Sequence, residues 1–151
     1  MQSILVDTGV LLRAFDRTSP VQKLIFKALR THWNQGDQLV TSHQNIAEFW
    51  NVATRPATSR GGFGLSVNET LKRVQSIEKL TLVLPFTNNC YQEWRQLLVE
   101  HSITGISVHD ARIVATMKTH RITRLLTLNS ADFRRYSSIK VLTPDRVDYP
   151  V

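Results

Sequence analysis

Ser3-Ile4-Leu5-Val6-Asp7-Thr8-Gly9-Val10-Leu11-Leu12 sets the pattern for the chain. Residues 3–7 read as a short strand, because Ile4-Leu5-Val6 is apolar without alternation, as in a strand buried on both faces. Thr8 to Phe15 follow with an apolar face, so an acid stands where the strand ends. Working outward, the same unit recurs. Val21, Leu24, Ile25, Ala28 and Leu29 have helical spacing and predict a helix over 20–33, with Pro20 in its first turn. Gln38 to Thr41 reads as a strand, and Ser42 as the cap of a helix to Thr54 with a core stripe of Ile46, Phe49, Trp50 and Ala53. Arg55 to Gly64, with Pro56 and Gly61-Gly62, reads as an exposed, flexible loop. Ser66 and Glu69 form a capping-box pair opening a helix to Ile77. Strand 81–84 ends at Pro85, and helix 87–101 carries Tyr91, Trp94, Leu97 and Leu98 on one face. Ser107 is expected to cap a helix to His120. Strand 125–128, a short helix 130–135, strand 140–142 and a polar tail from Thr143 to Val151 complete the chain. Short apolar strands alternating with helices predict an α/β fold with a parallel sheet covered on both faces.

The chain has 151 residues, enough for a sizeable core, and shows no repeat or linker, so residues 1–151 are read as one domain. With 42% hydrophobic and 21% charged residues it reads as globular. No apolar run approaches the roughly 18 residues of a membrane span. The start reaches Asp7 too early for a signal peptide. One cysteine, Cys90, permits no internal disulfide and fits a reducing cytoplasm. The net charge is +7, and Arg supplies 13 of the 19 cations, which suits a polyanionic partner or ordinary solubility.

Four acids sit at strand ends or helix starts: Asp7, Glu48, Asp110 and Asp132. Each has a local explanation. Asp7 can cap the helix from Thr8. Glu48 lies about 200° round its helix from Ile46, on a stripe with Asn45 and Val52, and reads as solvent-facing. Asp110 can join Ser107 in a capping box. Asp132 can serve the first turn after Asn129. Yet Asp110 also heads the stripe Ile113, Val114 and Met117, which directs it inward, and a buried carboxylate needs a cation. A parallel sheet brings strand ends and helix starts to one edge, and acids gathered there repel unless divalent cations neutralise them. Hard oxygen ligands favour Mg²⁺ or Mn²⁺.

With Ile4-Leu5-Val6-Asp7-Thr8-Gly9, Ile46-Ala47-Glu48-Phe49-Trp50-Asn51-Val52, His109-Asp110-Ala111-Arg112-Ile113-Val114-Ala115 and Leu126-Thr127-Leu128-Asn129-Ser130-Ala131-Asp132-Phe133, the sequence resembles the PIN-domain nucleases. Within them it is similar to the VapC-like toxins of bacterial toxin–antitoxin systems, over about residues 3–143. The resemblance implies a three-layer α/β/α sandwich with a five-stranded parallel sheet. It implies that Asp7, Glu48, Asp110 and Asp132 form an acidic site for Mg²⁺ or Mn²⁺, with Thr8 and Asn129 in support. Many relatives carry an acid where Asn129 stands, so this chain departs there. The implied activity is RNA phosphodiester hydrolysis leaving a 5′-phosphate and a 3′-hydroxyl, in a toxin held by a small antitoxin and paired as a homodimer.

Carboxylates do not hold phosphate, so cations must hold the RNA. Arg13, Arg55, Arg112 and Arg134 are the candidates carried forward, with Arg17, Arg60 and Arg135 behind them. Trp50 and Trp94 sit on apolar stripes and read as core rather than base-stacking residues. A different reading is a catalytically weak PIN-like module that binds RNA or a partner.

Overall fold

The computed structural model describes residues 2–146; the expected tail beyond residue 146 lies outside them. The described residues form β1 (Ser3–Val6), α1 (Thr8–Ala14), α2 (Gln22–Asn34), β2 (Gln38–Ser42), α3 (His43–Thr54), α4 (Val67–Leu80), β3 (Leu82–Leu84), α5 (Asn88–Glu100), α6 (Ser107–Thr119), β4 (Arg124–Leu126), a 3₁₀ helix (Ser130–Phe133) and β5 (Lys140–Leu142). All five strands are parallel, in the order β3-β2-β1-β4-β5.

Alternate strand residues face opposite layers, because successive side chains point to opposite faces. Leu5, Val40 and Leu125 join Ile113, Val114 and Met117 of α6 and Leu97 of α5. Ile4, Val6, Leu39 and Leu126 join the layer of α1 to α4, with Val10, Ile25, Phe49 and Val74. The result is the three-layer α/β/α sandwich implied by the sequence. The chain winds outward from β1 to β2 and β3, then returns to β4 beside β1, so winding reverses between β1 and β4. In open α/β sheets the crevice at the carboxyl ends of such a pair takes the ligand.

Three expectations need correction. Ser107 does not cap α6: Ile106 precedes the helix, and no side chain caps it. Gly105, at φ 63°, turns the chain into the helix instead. Leu24 is exposed, and His32 takes a place in the buried stripe of α2. The 55–64 loop is braced rather than free, with Phe63 N donating to Val52 O (3.1 Å), Gly64 N to Arg55 O (2.8 Å) and Leu65 N to Ala53 O (2.9 Å). Gly62 fits because a Cβ there would lie 2.4 Å from Arg55 O.

At the amino edge of the sheet a buried polar network joins α2, β2 and β4. His32 Nδ1 donates to Asp37 Oδ2 (2.8 Å), and Arg124 Nη1 pairs with Asp37 Oδ1 (3.1 Å). Arg124 also donates to Gln2 Oε1 (3.2 Å). Among the described residues, no helix is long and apolar enough to cross a membrane.

Candidate metal centre

Asp7 leaves β1 and caps α1, with its Oδ1 accepting from Thr8 N at 2.9 Å. It is also buried. Asn45 Nδ2 donates to the same oxygen at 3.2 Å, and Thr127 Oγ1 donates to Oδ2 at 2.7 Å. Asp7 N donates to Leu126 O (3.0 Å), closing the β1/β4 crevice beneath it. Capping and site reading therefore coexist at Asp7: a cap needs one acceptor, and this carboxylate has three donors. Burial raises its pKa above the usual carboxylate range. Bonds from Thr127, Thr8 and Asn45 oppose that rise, and the charge of Glu48 adds to it.

Glu48 is not solvent-facing as its helical position predicts. It is half-buried: Oε2 accepts from Thr8 Oγ1 (3.1 Å) and Oε1 from Gln44 Nε2 (2.7 Å). The cause is that α3 packs on α1 with one face and on the α4 side with another, so its polar stripe is walled in. Asn45, fully buried, bonds Thr8 Oγ1 (3.0 Å) as well as Asp7.

Asp110 stands in the first turn of α6, half-buried above buried Ile113, Val114 and Met117. No bond to Ser107 forms the expected capping box. Its pKa is pushed up to about 6, first by burial and then by the charges of Asp132, Asp7 and Glu48, with His109 opposing weakly. Asp132 itself is exposed on the 3₁₀ helix. Asn129 precedes that helix without capping it through its side chain; its N–H donates to Thr127 Oγ1 (3.0 Å), one bond removed from Asp7. Asp110 thus feels the charges of the other three acids, and Asp7 that of Glu48. Among the described residues no Lys, Arg or His forms an ion pair with any of them.

This donor set suits a hard divalent cation in its chemistry: every donor is oxygen, and among the described residues none of the four acids has an ion-pair partner. Among the described residues, no group of three or more Asp, Glu, His or Cys side chains is drawn together closely enough to hold a metal ion. Mg²⁺ keeps several waters and takes only one or two carboxylates, so a closed cage is not required.

The arginines are dispersed. Arg13 pairs with Asp16 (3.1 Å). Arg55, at the far end of α3 and about 15 Å along its axis from Asn45, donates to Arg60 O (3.1 Å) within its own loop. Arg112 lies over the Phe86 ring, 4.4 Å from its centroid. Arg134 is exposed and lines a groove of about 560 Å³ with Ser130, Leu142, Thr143, Asp145 and Arg146, at the carboxyl end of β5. Of the four candidates, Arg134 is the one beside the segment that carries Asp132. Trp94 donates its indole N–H to Val108 O (2.8 Å) and packs against the core, and Trp50 packs beside Phe49. A groove of about 610 Å³ beside Trp50 and His43 is lined by α3 and β3 and includes none of the four acids.

Sequence reasoning missed the full roles of Asn45, Thr127 and Gln44. Thr127 was findable: it follows β4 as Asp7 follows β1. Gln44 and Glu48 stand four apart on one helix, the spacing of facing side chains.

The PIN domain family model matches residues 4–139. A comparison with curated proteins returns no match. Among solved structures, VapBC-1 from nontypeable Haemophilus influenzae superposes with a TM-score of 0.67 at 16% identity, covering 95% of this chain and 99% of that one. A toxin–antitoxin complex from Klebsiella pneumoniae gives 0.63 at 21% identity, covering 98% and 99%. VapC20 of Mycobacterium tuberculosis, a sarcin–ricin loop cleaving toxin, gives 0.58 at 18% identity, covering 81% and 86%.

Proposed function

The chain belongs to the PIN domain family, and on that premise we propose that it is a divalent-metal-dependent endoribonuclease, the toxin of a toxin–antitoxin pair. One observation supports the reading: Asp110 on α6 lies within electrostatic reach of Asp7, Glu48 and Asp132, and among the described residues none of the four has an ion-pair partner. Proteins of the same fold occur as toxin–antitoxin complexes, and one is a sarcin–ricin loop cleaving toxin, which supports the toxin reading.

In this proposal Asp7 and Asp110 hold Mg²⁺ or Mn²⁺, with Glu48 beside them and Asp132 completing the acidic wall. When bound there, such an ion would supply a lowered pKa for a coordinated water and charge stabilisation for the phosphate oxygens. Thr127, Thr8 and Asn45 fix the rotamer of Asp7 by occupying both its oxygens. Thr8 and Gln44 do the same for Glu48. Arg134 takes a phosphate of the RNA from its groove, a contact that positions the chain without reading its sequence. Arg13, Arg55 and Arg112 are engaged elsewhere and contribute field rather than contact.

The proposed partners are single-stranded RNA, a small antitoxin and a second copy of the chain, in the cytoplasm. Exposed Phe26, Trp33 and Leu80 flank an apolar groove of about 480 Å³ between α1, α2 and α4, a surface suited to a protein partner. Sequencing RNA ends in cells expressing wild type or Asp110→Asn tests the activity. New 5′-phosphate ends with wild type alone are expected. Identical ends in both cultures leave the binding-module reading in its place.

A further inference from the structure

The helix that carries Asp110 begins without a side-chain cap, yet two side chains seize consecutive carbonyls of its first turn. From the core side, Trp94 Nε1 donates to Val108 O at 2.8 Å. From across the cleft, Gln44 Nε2 donates to His109 O at 2.8 Å. The same Gln44 nitrogen donates to Glu48 Oε1 at 2.7 Å. One amide group therefore bridges a cleft carboxylate on α3 to the residue preceding Asp110 on α6. Its orientation is fixed by its partners: turning the amide over would set Oε1 against a carboxylate and a carbonyl, both acceptors. In the observed orientation Oε1 is buried and has no partner.

We propose that Gln44 is a positioning residue that locks the spacing between Glu48 and Asp110, and so sets the affinity of the centre for its divalent ion. The inference rests on reading the four acids as a metal site. The reasoning is geometric. Thr8 holds the other oxygen of Glu48 at 3.1 Å, so Gln44 supplies the second of two fixed points. Without it, mutual repulsion lets Glu48 and Asp110 move apart, and the ion must draw them together at its own expense. Partners behind metal ligands typically change affinity by about 10–100-fold when removed. Trp94 makes a comparable bond to the same turn but reaches no carboxylate, so it is a control for helix anchoring alone.

The test is Mn²⁺ binding to the full chain without RNA, followed by electron paramagnetic resonance, for wild type, Gln44→Ala, Gln44→Met and Trp94→Phe. Methionine keeps the length of the side chain while removing its donors, so it serves if alanine opens the cleft. The proposal expects Mn²⁺ affinity to fall at least about tenfold in both Gln44 variants, with near-wild-type affinity and a lower melting temperature in Trp94→Phe. In cleavage assays at fixed metal, kcat should fall in the Gln44 variants with KM for RNA unchanged. Wild-type affinity in both Gln44 variants, or equal losses in Gln44 and Trp94 variants, overturns the inference and leaves the metal reading standing. A wild-type chain that takes up no Mn²⁺ overturns the metal reading itself, and the inference with it.

Discussion

The two edges of the sheet handle buried carboxylates in opposite ways. At the amino edge, Asp37 meets Arg124 at 3.1 Å and His32 at 2.8 Å. Burial would raise its pKa, but the bonds from His32 and Arg124 outweigh that and hold it below the usual carboxylate range. At the carboxyl edge, Asp7 and Asp110 have hydroxyl, amide and acidic neighbours but no ion-pair partner among the described residues, and both are pushed up. The first arrangement balances the charge of Asp37 within the protein, although His32 Nε2 is left buried without a partner among the described residues. The second is electrostatically unfinished, and its negative excess is what a cation would relieve. Charge compensation by Arg124 and His32 is what distinguishes Asp37 from Asp7 and Asp110, whose burial is not offset by a cation among the described residues.

Breaking the balanced edge should have the largest effect on stability. Arg124→Leu leaves Asp37 without its guanidinium and His32 without a neighbouring cation. We expect about 3 kcal/mol of lost stability in denaturant melts, the low end for a broken buried pair because Asp37 keeps some access to water. Next comes the unfinished edge. A saturating divalent ion at a hundred times its Kd should stabilise wild type by about 2.7 kcal/mol, and Asp7→Asn should lose most of that gain. Metal-free Asp110→Asn should be more stable than wild type by on the order of 1 kcal/mol, after allowing for solvent screening of a half-exposed group.

The pH profiles should differ in sign. Asp110 has a folded pKa of about 6, above its unfolded value, so the folded state binds the extra proton. Its protonation favours folding at low pH, and stability falls as pH rises from about 4 to about 6. Asp110→Asn should flatten that fall. Asp37 has a depressed folded pKa, so its contribution is present above about pH 4 and is lost as pH drops through the folded value. Asp37→Asn should remove part of that acid limb instead. The smallest effect expected is at Arg134: Arg134→Gln should weaken RNA binding evenly across sequences and reduce the salt slope by about one phosphate contact.

Much of this contrast was legible in the chain. Ile4-Leu5-Val6-Asp7 shows a strand ending in an acid, and the stripe Asp110, Ile113, Val114 and Met117 shows an acid directed inward. Those are local periodicities, and helix and sheet geometry convert them directly into positions. Glu48 was misread by the same rule, because periodicity counts one buried face per helix and α3 is enclosed on more than one. Ser107 was misread because capping was inferred from residue type, whereas Trp94 and Gln44 secure the turn from other helices. The bracing of the 55–64 loop leaves no sequence pattern because most of its bonds join backbone atoms. The His32–Asp37–Arg124 network spans 92 residues between His32 and Arg124 and leaves no local pattern at all.

The central claim is that the carboxylates at the β1/β4 crevice form a metal-dependent nuclease centre. It is tested most directly by incubating purified wild type and Asp110→Asn with single-stranded RNA and Mn²⁺, and mapping the ends produced. The account predicts wild-type cleavage leaving 5′-phosphates, abolished by EDTA, and reduced more than about a hundredfold in Asp110→Asn. Cleavage that persists undiminished in EDTA and in the variant would contradict it.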